Sequence, residues 1–581
     1  MIPISTDPGR PAGGDGAGGG VPTVDSSTPS VAELLLARAD DDHPGLRFEE
    51  EQWSWRQVVS AGADRAAWIR SVAGPGPLHI GVLLGNVPEY AFWLGAAALG
   101  GAAVVGINAT RRGDALAGDI RRTDCRIIVT DTEGARLLEG LELGLSPDRV
   151  VRVDSREYAQ RLDAHQGADP QSVVPGRAPT AASLFLLLFT SGTTGAPKAV
   201  RCTQGRLASI ALRSAGAYGY RRDDVAYCTM PLFHGNALMV LWGPTLVVGA
   251  TVALARRFSA SGFLADVRHH RATTFTYVGK ALAYVLATPE AADDADTTLR
   301  RGFGTEASIA DHSAFEKRFG CVLTEGYGSS EGGVAISRTD DTPAGSLGRP
   351  PDGVAVVDPG TLEECPAAVF DAGGALANGE LAVGEIVNRA GIGSFEGYYG
   401  DPEATAARTR HGWYWTGDLA YRDQGGFLYF AGRSGDWMRV DSENLAAGPI
   451  ERVLIRFGAV AAVAVYPVAD PRSGDQVMAA LEMLPGRPFD PAGFGTFLAG
   501  QPDLGTKWAP SFVRIATGGL PQTASGKVTK GPLRTEGWWE GNDPVFRRGD
   551  SAQAYVPMDE GDRHRLMEEL RRHGRDGLVG G

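Results

Sequence analysis

The sequence predicts an α/β protein: a large N-terminal domain of doubly wound sheets with a β-rich subdomain, followed by a small α+β C-terminal domain. Three observations support this fold class. Short apolar runs alternate with helix-like stretches from about residue 31 to 350, Gly-bounded strand patterns follow from 350 to 430, and a further α/β pattern restarts after Gly432. Strand, helix and strand in this alternation are typical of βαβ units with parallel sheets.

The N-terminal domain, 31–432, is predicted to contain two such layers. In the first, strand and helix patterns alternate through "LHIGVLL" at 78–84, "EYAFWLGAAALGG", "AAVVGIN", "DALAGDIRRTD" and "CRIIVTD". The second runs through "DVAYCTMPL", "LWGPTLVVGATVAL", a helix around 262–270, "TTFTYV" and "CVLTEGYG". Each layer therefore predicts its own parallel sheet.

The remaining segments are predicted from a change in the sequence pattern. The β-rich subdomain, 350–430, contains "GVAVVD", "GEIVNRA" and "GFLYFAG", and the C-terminal domain, 433–540, contains "DWMRV", a helix at 448–457, "VAAVAVYPV" and "VMAALEML". Residues 541–581 are expected to form a charged tail with one candidate helix at "EGDRHRLMEELRRHG". Residues 1–30 are rich in Gly, Pro, Ser and Asp, and we expect a disordered leader because such a segment has too little apolar surface to offset the entropy of ordering.

Composition excludes several classes of function. A net charge of −13 disfavours nucleic acid as a general partner, because binding phosphate backbones needs clustered positive charge. The leader lacks the apolar core of a signal peptide, and no run of about 18 uncharged apolar residues predicts a membrane span. Five cysteines lie far apart without metal-ligand spacing, so we expect buried, reduced thiols in a soluble, cytoplasmic protein.

The stretch "TSGTTGAPK" at 190–198 carries the first sign of chemistry. It follows the apolar run 184–189, and its glycines and hydroxyls are suited to binding phosphate, because glycine lets backbone N–H groups approach an anion. The P-loop spacing is absent, since Lys198 follows Gly195 by three positions rather than one. The chain has only six lysines among 56 basic residues, so a lysine at this point suggests a need for a compact ammonium.

Further motifs extend this signal: "YGSSE" at 327–331, "GWYWTGD" at 412–418, "GR" at 432–433 and "PQTASGK" at 521–527. Together with the loop, these five motifs closely resemble, in order, those of the adenylate-forming superfamily, which comprises acyl-CoA synthetases, luciferase-type ligases and adenylation domains of peptide synthetases. The resemblance covers about 31–535. Within it, "GRSGDWMRVDSENLAAGPIE" is most similar to the fatty-acid-transport-type and mycobacterial fatty-acyl synthetase branch.

The resemblance implies a role for each matching residue. The loop would bind the β- and γ-phosphates of ATP, Glu331 would hold Mg²⁺, and Ser330 would donate a hydrogen bond to a phosphate. Tyr327 would stack on adenine, Asp418 would accept hydrogen bonds from both ribose hydroxyls, and Arg433 would support the nucleotide. The full set implied to bind nucleotide is Thr190, Ser191, Gly192, Thr193, Thr194, Gly195, Lys198, Tyr327, Gly328, Ser330, Asp418, Arg433 and Lys527.

The resemblance also implies a catalytic group of Lys527, His234, Thr190 and Glu331. Lys527 would bridge the attacking carboxylate and the α-phosphate, where an ammonium stabilises negative charge that gathers in the transition state. His234, in "MPLFHGNA", matches the position between the nucleotide and the acyl pocket. Phe233, Leu238, Met239 and Trp242 are candidate pocket residues, although an apolar stripe is more often simply core.

Two positions depart from the family pattern. Gly435 stands at the hinge on which the small C-terminal domain would swing, where many relatives have Asp or Lys; glycine's free backbone still suits a hinge. Ser442 stands where relatives have Gly beside the pantetheine tunnel, so its side chain would narrow the path for CoA or be tolerated there.

The resulting functional hypothesis is an ATP-dependent acyl-CoA synthetase. It would join a carboxylic acid to AMP with release of pyrophosphate and then transfer the acyl group to CoA, using ATP, Mg²⁺ and CoA. The alternative keeps adenylation but changes the acceptor to an amine or a carrier thiol, or the oxyanion to nitrite in a diazo-forming reaction. A non-catalytic relative is disfavoured because Lys198, Glu331, Asp418 and Lys527 are all present.

Overall fold

A computed structural model describes residues 28–579 with short gaps. The gaps are 73, 75, 174–177, 191–196, 279–280, 306, 308, 372–375, 434–436, 441–442, 472–473, 502–503, 505–507, 524–525 and 550–553. Nearly all of the predicted leader lies outside the described residues. Within them, no helix is both long enough and apolar enough to cross a bilayer.

The first part of the chain builds one sheet and starts another. Its strands are β1 (Pro44–Phe48), β2 (Glu51–Ser54), β3 (His79–Leu83), β4 (Ala103–Gly106), β5 (Ile127–Thr130), β6 (Val150–Arg152), β7 (Leu184–Thr190) and β8 (Lys198–Thr203). Its helices are α1 (Val31–Leu36), α2 (Trp55–Val72), α3 (Pro88–Gly100), α4 (Gly113–Arg122), α5 (Thr132–Leu138) and α6 (Arg156–Asp163).

Six of these strands form a sheet in the order β6-β5-β3-β4-β7-β8. All neighbours are parallel except β7 and β8, which pair antiparallel. Strands β3, β4 and β5 are buried at every residue, as expected for a parallel sheet covered on both faces. The doubly wound prediction is confirmed here.

The second part of the chain completes the other large sheet. Its strands are β9 (Val225–Cys228), β10 (Thr251–Leu254), β11 (Thr274–Val278), β12 (Arg301–Thr305), β13 (Val322–Gly328) and β14 (Ala335–Ser337). Its helices are α7 (Gln204–Ala217), α8 (Gly235–Ala237), α9 (Gly243–Val248), α10 (Phe263–His270), α11 (Ala281–Leu286) and α12 (Ile309–Phe319), with a π-helix at Leu238–Trp242 between α8 and α9.

The second sheet has eight strands in the order β14-β13-β12-β11-β9-β10-β1-β2. Its six inner strands are parallel, and the two outer pairs are antiparallel. Ligands of such sheets bind beyond the carboxyl ends of the strands. "MPLFHGNA" follows β9, and "YGSSE" begins in the last two residues of β13, so both motifs lie at that edge.

The last part of the chain forms three smaller sheets. Its strands are β15 (Val354–Val357), β16 (Gly384–Asn388), β17 (Tyr414–Arg422), β18 (Leu428–Arg433), β19 (Trp437–Val440), β20 (Glu443–Ala446), β21 (Val460–Ala469), β22 (Asp475–Met483), β23 (Phe512–Ile515), β24 (Val545–Arg548) and β25 (Tyr555–Pro557). Its helices are α13 (Gly379–Ala382), α14 (Pro402–Arg408), α15 (Ala447–Leu454), α16 (Pro491–Ala499), α17 (Gly531–Glu536) and α18 (Glu560–Arg572).

The β-rich segment is an antiparallel sheet, β15-β16-β17-β18, and β19 pairs with β20 in a hairpin. The C-terminal sheet runs β21-β22-β23-β24-β25 and continues past residue 540, where the sequence suggests a tail. Strand β24 pairs with β23, β25 pairs with β24, and Leu570 of α18 is buried against the same sheet. Strands β24 and β25 and helix α18 therefore belong to the C-terminal unit, and α18 matches the candidate helix.

The main hydrophobic core lies between the two large sheets. It contains residues from β3, β4 and β7, from β9 and β10, and from α2, α3 and α7. Burial of this apolar surface is the dominant force that holds both sheets in place. All five cysteines are free and buried, as predicted.

Candidate active site

The predicted phosphate loop is carried by the antiparallel pair β7 and β8. The apolar run 184–189 forms β7, and Thr190 at its end stands opposite Lys198 at the start of β8. The strands thus present Thr190 and Lys198 side by side at the base of the loop. Residues Ser191, Gly192, Thr193, Thr194 and Gly195 lie outside the described residues, so their phosphate contacts stay predictions.

Glu331 lies just beyond β13 and is buried, with 7% of its surface exposed. Thr190 Oγ1 donates a hydrogen bond to Glu331 Oε1 at 3.2 Å, although the two residues are 141 positions apart. The Tyr398 hydroxyl donates to the same oxygen at 3.1 Å. The structure therefore brings together two predicted catalytic residues and adds a tyrosine that the sequence analysis missed.

Lys198 lies on the other side of Tyr398. Its ammonium nitrogen is 5.5 Å from the centre of the Tyr398 ring, a distance at which the ring face attracts a cation. Lys198 and Glu331 thus both contact Tyr398, and Thr190 shares Glu331 Oε1 with it. One feature of the sequence could have identified Tyr398: it lies in "GYYG" at 397–400, an aromatic pair between glycines.

The predicted ribose-binding residue, Asp418, lies on β17 with Arg433 of β18 as its backbone partner. The Tyr327 hydroxyl donates to Asp418 Oδ2 at 2.6 Å. Burial, followed by the Asp418 charge, raises the pKa of Tyr327 well above its usual value, so this hydroxyl stays protonated. A carboxylate can accept about four hydrogen bonds, so this contact is compatible with ribose binding; adenine stacking by Tyr327 stays a prediction.

The loop that carries Gly328 and Ser330 is fixed by a buried arginine. Arg206 donates from Nη2 to the Ser330 carbonyl oxygen at 2.5 Å and from Nη1 to the Arg201 carbonyl at 2.6 Å. On its far side the loop touches Gly235, where an added Cβ would lie only 2.9 Å from Ser330 Oγ. A side chain at position 235 would force the Ser330 hydroxyl to move, and this close approach places "YGSSE" next to His234.

His234 and Lys527 lie near enough to interact electrostatically although they are 293 positions apart in the chain. Burial, and after it the positive charge of Lys527, lowers the pKa of His234 to about 4. The imidazole is therefore neutral at pH 7, and its Nε2 has no hydrogen-bond partner among the described residues. Lys527 lies on a tight turn in which its N–H donates to Thr523 Oγ1 at 3.2 Å, and neighbouring Gln522 donates to the Tyr284 hydroxyl at 3.3 Å.

The candidate acyl-pocket residues are closely packed beside His234. Phe233, Leu238, Met239 and Trp242 are all at least nine-tenths buried, and the last three lie on the π-helix, a feature that often marks functional sites. Strand β11 packs against this π-helix. Among the described residues, Thr276 Oγ1 on β11 and Asn236 Oδ1 on α8 are buried without a hydrogen-bond partner.

The described residues hold no group of three or more His, Cys, Asp and Glu side chains placed to bind a metal. Glu331 alone still fits Mg²⁺, which proteins usually bind through one or two carboxylates together with substrate phosphates. Arg433 is described only by its backbone. Gly435 and Ser442 lie outside the described residues.

Comparison with known proteins adds a family and several relatives. Residues 36–399 match the family model "AMP-binding enzyme". The chain is 54% identical over 548 residues to a steroid-22-oyl-CoA synthetase of Rhodococcus jostii, covering 94% of this chain and 98% of the synthetase. It is 49% identical over 510 residues to the medium/long-chain-fatty-acid–CoA ligase FadD17 of Mycobacterium tuberculosis, covering 88% and 97%.

A solved structure supports the fold. The anthranilate CoA ligase AuaEII, in complex with anthranoyl-AMP, superposes with a TM-score of 0.74 at 21% identity and covers 87% of this chain and 97% of that enzyme.

Proposed function

This chain belongs to the AMP-binding enzyme family and is an AMP-forming acyl-CoA synthetase, and we propose that it activates a large hydrophobic carboxylic acid. The substrate that we propose first is a steroid-22-oic acid. The observation that carries this proposal is the buried apolar wall of Phe233, Leu238, Met239 and Trp242 beside His234 and Lys527. The 54% identity to a steroid-22-oyl-CoA synthetase supports it.

The two unpartnered polar atoms within this region favour a steroid over an unbranched chain. A buried hydroxyl without a partner destabilises the protein, so each such group needs an explanation, and a bound ligand or water supplies one. Thr276 Oγ1 and Asn236 Oδ1 give an otherwise apolar pocket two points that recognise a polar substituent on a rigid skeleton. A medium- or long-chain fatty acid is the second candidate, supported by the 49% identity to FadD17.

In the first half-reaction, a carboxylate oxygen attacks the α-phosphorus of ATP, and pyrophosphate leaves. We assign Lys198 and the loop that begins at Thr190 to binding the β- and γ-phosphates, and Asp418 to orienting the ribose. Lys527 contacts the attacking oxygen and the α-phosphate, where its charge lowers the transition-state energy. Neutral His234 separates the nucleotide from the acyl group and donates or accepts one hydrogen bond without adding a charge.

Glu331 would hold Mg²⁺ together with the ATP phosphates; when bound, the ion neutralises charge on the leaving pyrophosphate. In the second half-reaction, the CoA thiolate attacks the acyl carbon, the bond from that carbon to the phosphate oxygen breaks, and AMP leaves. The apolar wall excludes water, which would otherwise hydrolyse the acyl adenylate.

The test is a substrate panel. Purified protein receives ATP, Mg²⁺ and CoA with a steroid-22-oic acid, with saturated fatty acids of eight to sixteen carbons, or with acetate, and the thioesters are quantified by mass spectrometry. We expect the highest kcat/KM for the steroid acid, activity with fatty acids and little with acetate. A higher kcat/KM for a fatty acid favours the second candidate, and a preference for acetate contradicts both.

A further inference from the structure

Tyr398 connects the side chains assigned to the phosphate end of ATP. It lies in the segment between β16 and α14, and it is buried, with 5% of its surface exposed. Its hydroxyl contacts Glu331, its ring face lies below the Lys198 ammonium, and Arg408 approaches the hydroxyl from α14.

The hydrogen bonds at Glu331 are unequal between its two oxygens. Oε1 accepts from Thr190 at 3.2 Å and from Tyr398 at 3.1 Å, whereas no described residue donates to Oε2. Two donors on one oxygen fix the rotation of the carboxylate, and they leave the second oxygen for a ligand. Hydrogen bonds from outside the ligand sphere commonly orient metal-binding carboxylates in this way.

Arg408 determines which way the Tyr398 hydroxyl points. Arg408 Nε donates to the Tyr398 oxygen at 3.4 Å, so the hydroxyl hydrogen is left to point at Glu331. Arg408 is itself held by the Trp415 carbonyl at 3.1 Å, and it packs over Gly417, where an added Cβ would lie 2.5 Å from Nη1.

We propose that Tyr398 is a positioning residue for the adenylation reaction: it orients Glu331 toward the metal–phosphate end of ATP and seats Lys198, and Arg408 acts through it. This inference rests on the proposed role of Glu331 in holding Mg²⁺. If Tyr398 served only to fill the core, its substitution would lower the stability of the fold. It would not weaken the binding of metal and ATP while leaving the binding of the acid unchanged.

The test compares Tyr398→Phe with Tyr399→Phe. Phenylalanine keeps the ring beneath Lys198 and removes only the hydroxyl. Tyr399 is a matched control, because its hydroxyl also donates to a carboxylate, Asp124 Oδ2 at 2.8 Å, outside the assigned site.

The first readout needs no turnover. Binding of Mn²⁺ to the complex of the protein with α,β-methylene-ATP is measured by electron paramagnetic resonance. We expect Tyr398→Phe to raise the Kd of Mn²⁺ by about tenfold to a hundredfold, the usual effect of removing such a supporting bond, and Tyr399→Phe to change it less than about twofold.

The second readout is steady-state kinetics with the best acid of the panel. Tyr398→Phe should raise the KM for MgATP while the KM for the acid changes less than about twofold, and melting temperatures should match. Arg408→Lys should give a smaller effect of the same kind that does not add to that of Tyr398→Phe.

Unchanged Mn²⁺ binding in Tyr398→Phe, or an equal loss in Tyr399→Phe, would overturn the proposal. Failure of the proposed function is a distinct result, because the wild-type protein would then release no pyrophosphate with any acid, whereas the binding measurement would still report on Tyr398.

Discussion

The nucleotide half and the acyl half of the active site differ in how their polar atoms are satisfied. On the nucleotide side, Thr190, Glu331 and Tyr398 are hydrogen-bonded to one another, and Tyr327 is bonded to Asp418. On the acyl side, His234 Nε2, Asn236 Oδ1 and Thr276 Oγ1 lack partners among the described residues. The side chains of the first half therefore hold one another in place, whereas we infer that the acid supplies partners for these atoms of the second half.

This difference explains why one half is shared by a large family and the other is specific. ATP is the same in every member, so its contacts can be fixed by short motifs and supporting hydrogen bonds. The acid varies, and the wall that we propose for it consists of packed side chains on and beside a π-helix. The following changes test whether the two halves are separable, beginning with the residue that joins them.

Lys527→Ala should have the largest effect, because Lys527 serves both halves. We expect adenylation to fall by about a thousandfold or more, since the ammonium stabilises charge that develops only in the transition state. Pyrophosphate release in single-turnover experiments measures this step. Lys530→Ala is the control, because that lysine is bound to Glu451 at 2.8 Å, and it should stay within a few fold of wild type. Near-normal adenylation in Lys527→Ala would refute the role assigned to Lys527.

Asp418→Asn should affect the nucleotide half alone. The substitution removes a charged acceptor for the ribose hydroxyls and weakens the bond from Tyr327. A hydrogen bond to a charged group contributes about 1.5–3 kcal/mol, so the KM for ATP should rise about tenfold to a hundredfold while the KM for the acid stays unchanged. Initial rates over a grid of ATP and acid concentrations separate the two constants. Equal rises in both would mean that the halves are coupled.

His234 should remain neutral well below pH 6.5. Its folded pKa of about 4 lies below the ordinary value of 6.5, so the unfolded chain binds more protons between these values. This residue therefore lowers the free energy of unfolding as the pH falls from 6.5 toward 4, by about 2 kcal/mol at pH 5.

Carbon-13 NMR of labelled histidines measures this directly, with His234→Phe to assign the signal. The His234 resonance should not titrate between pH 8 and 5.5. A titration midpoint near 6.5 would show that the site is open to water and remove the distinction between the two halves.

Thr276→Val should have the smallest effect and should affect the acyl half alone. Valine has the same shape and removes an unpartnered hydroxyl, so the variant should be as stable as wild type or slightly more stable. If the hydroxyl bonds a polar substituent of the steroid acid, kcat/KM for that acid should fall about two- to tenfold, while the value for a fatty acid stays constant. Equal changes for both acids would contradict a recognition role.

The two halves also differ in how much of their structure can be predicted from the sequence. Thr190 and Lys198 were predicted because β7 is an apolar run followed directly by the loop, and the order of the motifs linked them to Glu331, Asp418 and Lys527. Tyr398 and Arg408 were missed, since their role depends on two loops meeting at Glu331 in three dimensions. Strands β24 and β25 were missed because each is short and is defined by its pairing, β24 with β23 and β25 with β24.

The acyl wall illustrates the same limit. Leu238, Met239 and Trp242 were named as candidates, but the π-helix on which they lie and its packing against β11 depend on tertiary contacts. Spacing along the chain therefore predicts candidate residues for the acyl wall, but it does not predict the shape of that wall.

The central claim is that the acid is activated by transfer of AMP to its own oxygen. An acid labelled with oxygen-18 in both carboxylate positions is incubated with the protein, ATP, Mg²⁺ and CoA, and the nucleotide product is analysed by mass spectrometry. The account predicts AMP that carries one oxygen-18 atom for each thioester formed, because the bond from the acyl carbon to the labelled oxygen breaks when CoA attacks. Unlabelled AMP, or ADP with orthophosphate, would contradict it.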